Sequence, residues 1–154
     1  MLIRSALADD IDKLIHLWSE RVNLLAQADK RFASTSYMED VLGQQIQAYL
    51  NNQNSIIFVA LADDDVGGFV VAEILNNYGI IHEMALDAHQ YHGGMGRGLV
   101  KHSRQHFLKR NVKQIIIKVP RFHPVEQAFW LALGAKEWKD QTWKNPPELM
   151  WMIL

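Results

Sequence analysis

Between Gln90 and Leu99 the chain reads Gln-Tyr-His-Gly-Gly-Met-Gly-Arg-Gly-Leu, and glycines this dense can do chemistry with the backbone alone. The stretch follows an apolar run, Ile80 to Leu86, that reads as a strand, and it opens a run of helical periodicity from Leu99 to Arg110. A glycine turn between strand and helix aims a row of N–H groups at one point, with the positive end of the helix dipole behind them. Such a point holds a phosphate or pyrophosphate. Glycine serves there because a Cβ would keep the anion away, or because φ must be positive; a glycine cluster also makes ordinary turns. Two named phosphate loops do not fit. No Gly-Lys-Ser/Thr occurs in the chain, and after Gly94 and Gly96 the third glycine of G-x-G-x-x-G is replaced by Leu99.

The same apolar run contains two adjacent ionisable residues, His82 and Glu83. Histidine has the better unperturbed pKa for a base near neutrality, and glutamate is the better counter-ion for a cation. Neighbouring strand residues point to opposite faces, so only one of the two lines a cleft unless a bulge intervenes. No metal site is expected. His102 and His106 have zinc spacing but lack the H-E-x-x-H glutamate, and Asp63-Asp64-Asp65 reads as a solvated hairpin tip. The chain has no cysteine, which excludes disulfides and a thiolate nucleophile and suits a reducing, cytoplasmic compartment.

These residues need a scaffold. The 154 residues are 49% apolar and 21% charged, the composition of one globular domain spanning 1–154. A net charge of -1 gives no general pull toward nucleic acid or an anionic membrane, and no run is long and apolar enough to span one. Met1 to Ala6 reads as a strand. A first helix follows an N-cap at Ala8-Asp9-Asp10 and carries Ile11, Leu14, Ile15, Trp18, Val22 and Leu25; a second starts at a Ser36-Tyr37-Met38-Glu39 capping box. Ser55 to Leu61 and Gly68 to Leu75 form a hairpin, the strand before the glycine turn comes next, and Lys113 to Val119 is a strand stopped by Pro120. His123-Pro124 looks like an N-cap with proline at N1, opening a helix over Val125 to Leu133 that Gly134 ends; Trp138 to Trp143 and Leu149 to Leu154 are expected as closing strands. Trp138, Trp143 and Trp151 either pack the sheet or form a homodimer face.

The order β-αα-βββ-α-β-α-ββ, with Gly94-Met95-Gly96-Arg97 between the fourth strand and third helix, resembles the GCN5-related N-acetyltransferase (GNAT) family over essentially the whole chain. The segment His123-x-x-Glu126-x-x-Phe129-Trp130-x-x-Leu133-Gly134 looks like the family's Asn-x-x-Ala-x-x-Phe-Tyr-x-x-x-Gly. The resemblance implies an α+β fold, a mixed sheet of about 6–7 strands flanked by about 4 helices. It also implies acetyl-CoA as co-substrate. The pantetheine arm would lie along Met84, Ala85 and Leu86, with the pyrophosphate on the amides of Tyr91, His92, Gly93, Gly94, Met95, Gly96 and Arg97.

Three positions depart from the pattern. Tyr91 stands where the family has Gln or Arg, removing a side-chain donor that His92 could partly replace. His123 stands at an Asn that often contacts the cofactor or substrate side. Trp130 stands at the tyrosine that often protonates the departing thiolate; an indole N–H cannot act as an acid near neutral pH, so Trp130 either keeps a cofactor-side place or simply packs. The pair His82-Glu83 falls where relatives often carry two acidic residues that hold or deprotonate the amine, which makes Glu83 or His82 the candidate catalytic group, with structural pairing across the sheet as the other reading.

The resemblance thus implies direct transfer of an acetyl group from acetyl-CoA to a primary amine of a small molecule or peptide, with no covalent enzyme intermediate. The three departures favour a rival, a non-catalytic acyl-CoA-binding or interaction module on the same fold. A third reading gives the glycine loop to another nucleotide.

Overall fold

A computed structural model describes residues 1–32, 37–91, 93–139 and 147–154. Seven strands, β1 (Leu2–Ser5), β2 (Ser55–Ala62), β3 (Asp65–Leu75), β4 (Tyr78–Leu86), β5 (Ile115–Pro120), β6 (Lys136–Glu137) and β7 (Leu149–Ile153), form one sheet in the order β1-β2-β3-β4-β5-β7-β6. Four α-helices are described: α1 (Ile11–Ala28), α2 (Met38–Asn51), α3 (Met95–Lys109) and α4 (Pro124–Ala132). The strands of β4 and β5 run parallel and every other pair antiparallel, so the sheet is mixed, as expected.

Strand alternation sends side chains to two cores. Ile57, Val59, Phe69, Val71 and Ala85 pack with Leu14, Leu17, Trp18, Leu42 and Ile46 of α1 and α2. Phe58, Val70, Ile81, Ile117 and Val119 pack on the other face with Met95, Leu99 and Phe107 of α3 and Trp130 of α4. Both hairpins of the β2-β3-β4 meander close over two residues with positive φ, Asp63-Asp64 and Asn76-Asn77, the turn whose twist matches that of the strands. The three aspartates are therefore a hairpin tip, as the sequence indicates.

Two irregularities shape the functional end. Strand β4 carries a bulge: Val71 pairs with Glu83 and Ala72 with Ile81, leaving His82 as the extra residue. The β4–β5 pairing stops after Gly79↔Ile115, Ile80↔Ile116 and Ile81↔Ile117, so the two strands part beyond Ile81 and Ile117.

Several expected boundaries move. Helix α3 starts at Met95 and not Leu99, because Gly94 at φ 83° supplies the left-handed turn directly before it and the glycines after it carry no periodicity to read. Strand β6 is Lys136–Glu137; Trp138 and Lys139 lie beyond it, and the remainder of the expected Trp138–Trp143 strand falls outside the described residues, as does Ser36 of the capping box. Gly134 ends α4 with φ 94°, the expected cap.

Candidate functional site

The bulge decides what faces the cleft. Glu83 lies opposite Val71, whose side chain belongs to the α1–α2 face, and the extra residue lets His82 turn to that face too. On β5, Ile117 and Val119 enter the α3–α4 core, so Lys118 between them points to the α1–α2 side. With Trp18 of α1 and Gln45, Ala48 and Tyr49 of α2, these three residues line an open cleft of about 370 Å³ at the point where β4 and β5 separate.

Within it the two sequence candidates have different fates. His82 Nε2 lies 2.8 Å from Glu73 Oε1, and Asn52 Nδ2 donates to Glu73 Oε2 at 3.1 Å. The carboxylate makes Nε2 the protonated nitrogen, while Nδ1 is buried without a partner among the described residues. Burial and the nearby Lys118 lower the His82 pKa, against the pull of Glu73. The imidazole is tied to Glu73, beside the Tyr49 ring at 5.4 Å. Burial, with Glu83 and Glu73 nearby, pushes the Tyr49 phenol up to about 12.

Glu83 keeps its carboxylate at the cleft, with its side chain 28% exposed. Its Oε2 accepts from Arg21 Nε at 3.0 Å, and Arg21 also donates to both oxygens of Glu126 at 2.8 and 3.1 Å. Burial raises the Glu83 pKa and Arg21 opposes that rise. The two carboxylates in turn hold the Arg21 guanidinium above its ordinary range, against its own burial. Lys118 Nζ sits 5.6 Å from the Trp151 ring centre, and burial lowers its pKa against the pull of Glu83 and Glu73.

The glycine turn lies at the open end of the same gap. Met84, Ala85 and Leu86 follow the last β4–β5 pair, so the β5-facing edge of this segment has no partner strand among the described residues. Met84 and Leu86 lean on the α3–α4 core and Ala85 on the other. Gly94 starts α3 without a side-chain cap, Tyr91, Gly93 and Arg97 are exposed, and Met95 is buried in the core. A Cβ on Gly96 would sit 3.3 Å from the Phe129 ring, so the turn packs directly on α4. His92 lies outside the described residues.

The structure does not bring every expected residue to this gap. His123 caps α4, its Nδ1 accepting the Glu126 N–H at 3.2 Å, as its sequence position suggests. Trp130 is 1% exposed and sits in the α3–α4 core edge-on to Phe129; it packs and does not line the cleft. His102 and His106 lie against the edge of Phe58, and no metal-holding cluster exists among the described residues. No helix among them is long and apolar enough to cross a membrane. Arg21, Glu73 and Lys118 were not anticipated. Arg21 and Lys118 left a trace, since each is a charge at a position the local period assigns to the buried side.

The family model described as "Acetyltransferase (GNAT) family" matches residues 19–135. Among solved structures, the PaiA N-acetyltransferase from Thermoplasma acidophilum, in complex with coenzyme A, is 18% identical with a TM-score of 0.77, covering 99% of this chain and 96% of that one. The ribosomal-protein-alanine N-acetyltransferase from Brucella melitensis is 18% identical with a TM-score of 0.75, covering 100% and 99%. A Bacillus anthracis structure in complex with acetyl coenzyme A is 22% identical with a TM-score of 0.61, covering 70% and 66%. No curated protein matches the sequence.

Proposed function

Because the chain belongs to the acetyltransferase (GNAT) family, we propose that it transfers the acetyl group of acetyl-CoA directly to a primary amine bound in the cleft beside Glu83, with residues 1–154 acting as one catalytic domain. The observation that carries this reading is the bulge at His82, which sets the Glu83 carboxylate in a cleft at the place where β4 and β5 part. The residues present suit the co-substrate. The unpartnered edge of Met84–Leu86 offers amide and carbonyl groups to a pantetheine arm, and the uncapped glycine start of α3 offers N–H groups to its diphosphate. Two relatives of the same fold are named as complexes with coenzyme A and acetyl coenzyme A.

Glu83 takes the proton of the incoming ammonium, and its burial-raised pKa suits it to that task better than an ordinary carboxylate. The free amine attacks the thioester carbonyl and the C–N bond forms. As the intermediate collapses the C–S bond breaks, the proton the nitrogen must lose to become an amide passes through water to the departing thiolate, and the proton held by Glu83 returns to solvent. His82 has its Nε2 committed to Glu73 and its Nδ1 buried, and Trp130 is enclosed in the core, so neither takes part in these proton transfers.

The experiment is thermal unfolding with acetyl-CoA, ATP and NAD in parallel, followed by thiol release with a panel of amines. Ligand at ~100 times its Kd adds about 2.7 kcal/mol, a shift of several degrees. A shift with acetyl-CoA alone and amine-dependent thiol release are expected. A shift without turnover would favour the non-catalytic module, and a shift with ATP or NAD in its place would sink the assignment.

A further inference from the structure

We propose that the acceptor is a small primary amine bearing its own carboxylate, a zwitterion of the amino-acid class, with Lys118 as the group that holds the carboxylate. This deepens the reading of the cleft as the acceptor site and rests on it. Lys118 is the first β5 residue beyond the last pair with β4, on the same face as Glu83, which lies two positions past Ile81 on the other arm of the gap. An acceptor reaching from Glu83 toward Lys118 therefore spans the mouth of the gap with its amine at one end and its anion at the other.

The charge balance of the cleft singles out this residue. Glu73 is satisfied by His82 and Asn52, and Glu83 by Arg21. Lys118 has no hydrogen bond or ion pair among the described residues, only the edge of cation–π range over Trp151 at 5.6 Å. Lys118 is thus the charged side chain of the cleft lining that makes no hydrogen bond or ion pair among the described residues. Burial already works against the ammonium of Lys118, so an anion placed beside it recovers what burial costs. A volume of about 370 Å³ fits a small molecule, with Trp18 and Tyr49 offering flat walls to an apolar side chain.

The test measures kcat/KM, by thiol release from acetyl-CoA, for a panel of amino acids each paired with its amide, with spermidine beside them, in wild type and in K118M and K118R. At least one acid should exceed its amide and spermidine by about tenfold or more, the scale of a charge-assisted contact. K118M should bring the acid-to-amide ratio close to one, and K118R should restore part of it. Amides or spermidine used as well as the acids would overturn the proposal, as would a ratio that K118M leaves unmoved. If acetyl-CoA raises Tm but no acid is acetylated, the zwitterion assignment falls while the cofactor reading stands. If acetyl-CoA gives neither shift nor turnover, the underlying reading has failed. Calorimetric titration of the same acids into wild type and K118M then decides the inference separately: binding lost in K118M supports it, and equal or absent binding overturns it.

Discussion

Glu83 carries the heaviest demand of any single side chain. E83Q is expected to lower kcat/KM by about 10²–10⁴-fold, the usual worth of a positioned base. Wild-type activity should fall as pH drops through the raised Glu83 pKa, and E83Q should lack that acid limb. The stability effect has the opposite sense. A carboxylate whose folded pKa is raised contributes stability that is present below its ordinary value and lost as pH rises through the raised one, so E83Q should lose little Tm at neutral pH. A pH profile unchanged in E83Q would remove Glu83 from the chemistry. Trp130 makes the contrasting case. W130F should cost about 1–3 kcal/mol through the space it leaves, read as a lower Tm, with no change in the shape of the pH profile. At this scale the sequence made Glu83 and His82 visible as a pair, but choosing between them needed the bulge and Glu73. Tyr49 and Trp18 read as helix stripe and Lys118 as strand; only the fold makes them one wall.

The elements themselves were largely legible, because periodicity, turn residues and caps are local. What local pattern does not carry is which strand edge stays open, since the β4–β5 separation arises from strands joined through α3. The entry into α1 shows how a small cluster fixes an element. Asp10 accepts from Arg4 Nη1 at 2.7 Å, from Arg4 Nη2 at 3.0 Å and from the Leu7 N–H at 2.7 Å, tying β1 to the short turn that opens α1. The Arg4 guanidinium, with the Leu7 N–H, holds the Asp10 pKa below the ordinary carboxylate range. A lowered folded pKa means stability that is present above the ordinary value and lost as pH falls through the lowered one. D10N should therefore cost about 1–2 kcal/mol near neutrality, the scale of a lost helix-capping contact, with a drop of several degrees in Tm. The gap between wild type and D10N should close as both are acidified below the ordinary carboxylate range and through the lowered pKa; a gap that stays constant would mean the carboxylate charge contributes nothing.

For the whole molecule, Arg21 is the piece that joins the two faces. Helix α1 packs on one side of the sheet and α4 on the other, yet Arg21 reaches Glu83, 62 residues away, and Glu126, 105 residues away. The contact is made where β4 and β5 no longer pair, so a side chain bridges there what the sheet leaves open. Nothing in the neighbourhood of any of the three residues encodes the others. R21Q would strand two carboxylates whose side chains are only 28% and 13% exposed, and a stability loss on the order of 3 kcal/mol is expected. Because Arg21 is what restrains the rise of the Glu83 pKa, its loss should also move the acid limb of the activity profile to higher pH. Adding E126Q removes one stranded charge, so the double variant should unfold at a higher temperature than R21Q alone. The two readouts separate the roles of the clasp. A loss of Tm with an unmoved acid limb would leave Arg21 a purely structural tie, and a moved limb with an unchanged Tm would make it a tuning group for Glu83 alone. Both changes together are what a single guanidinium holding β4 to α4 across the gap should produce.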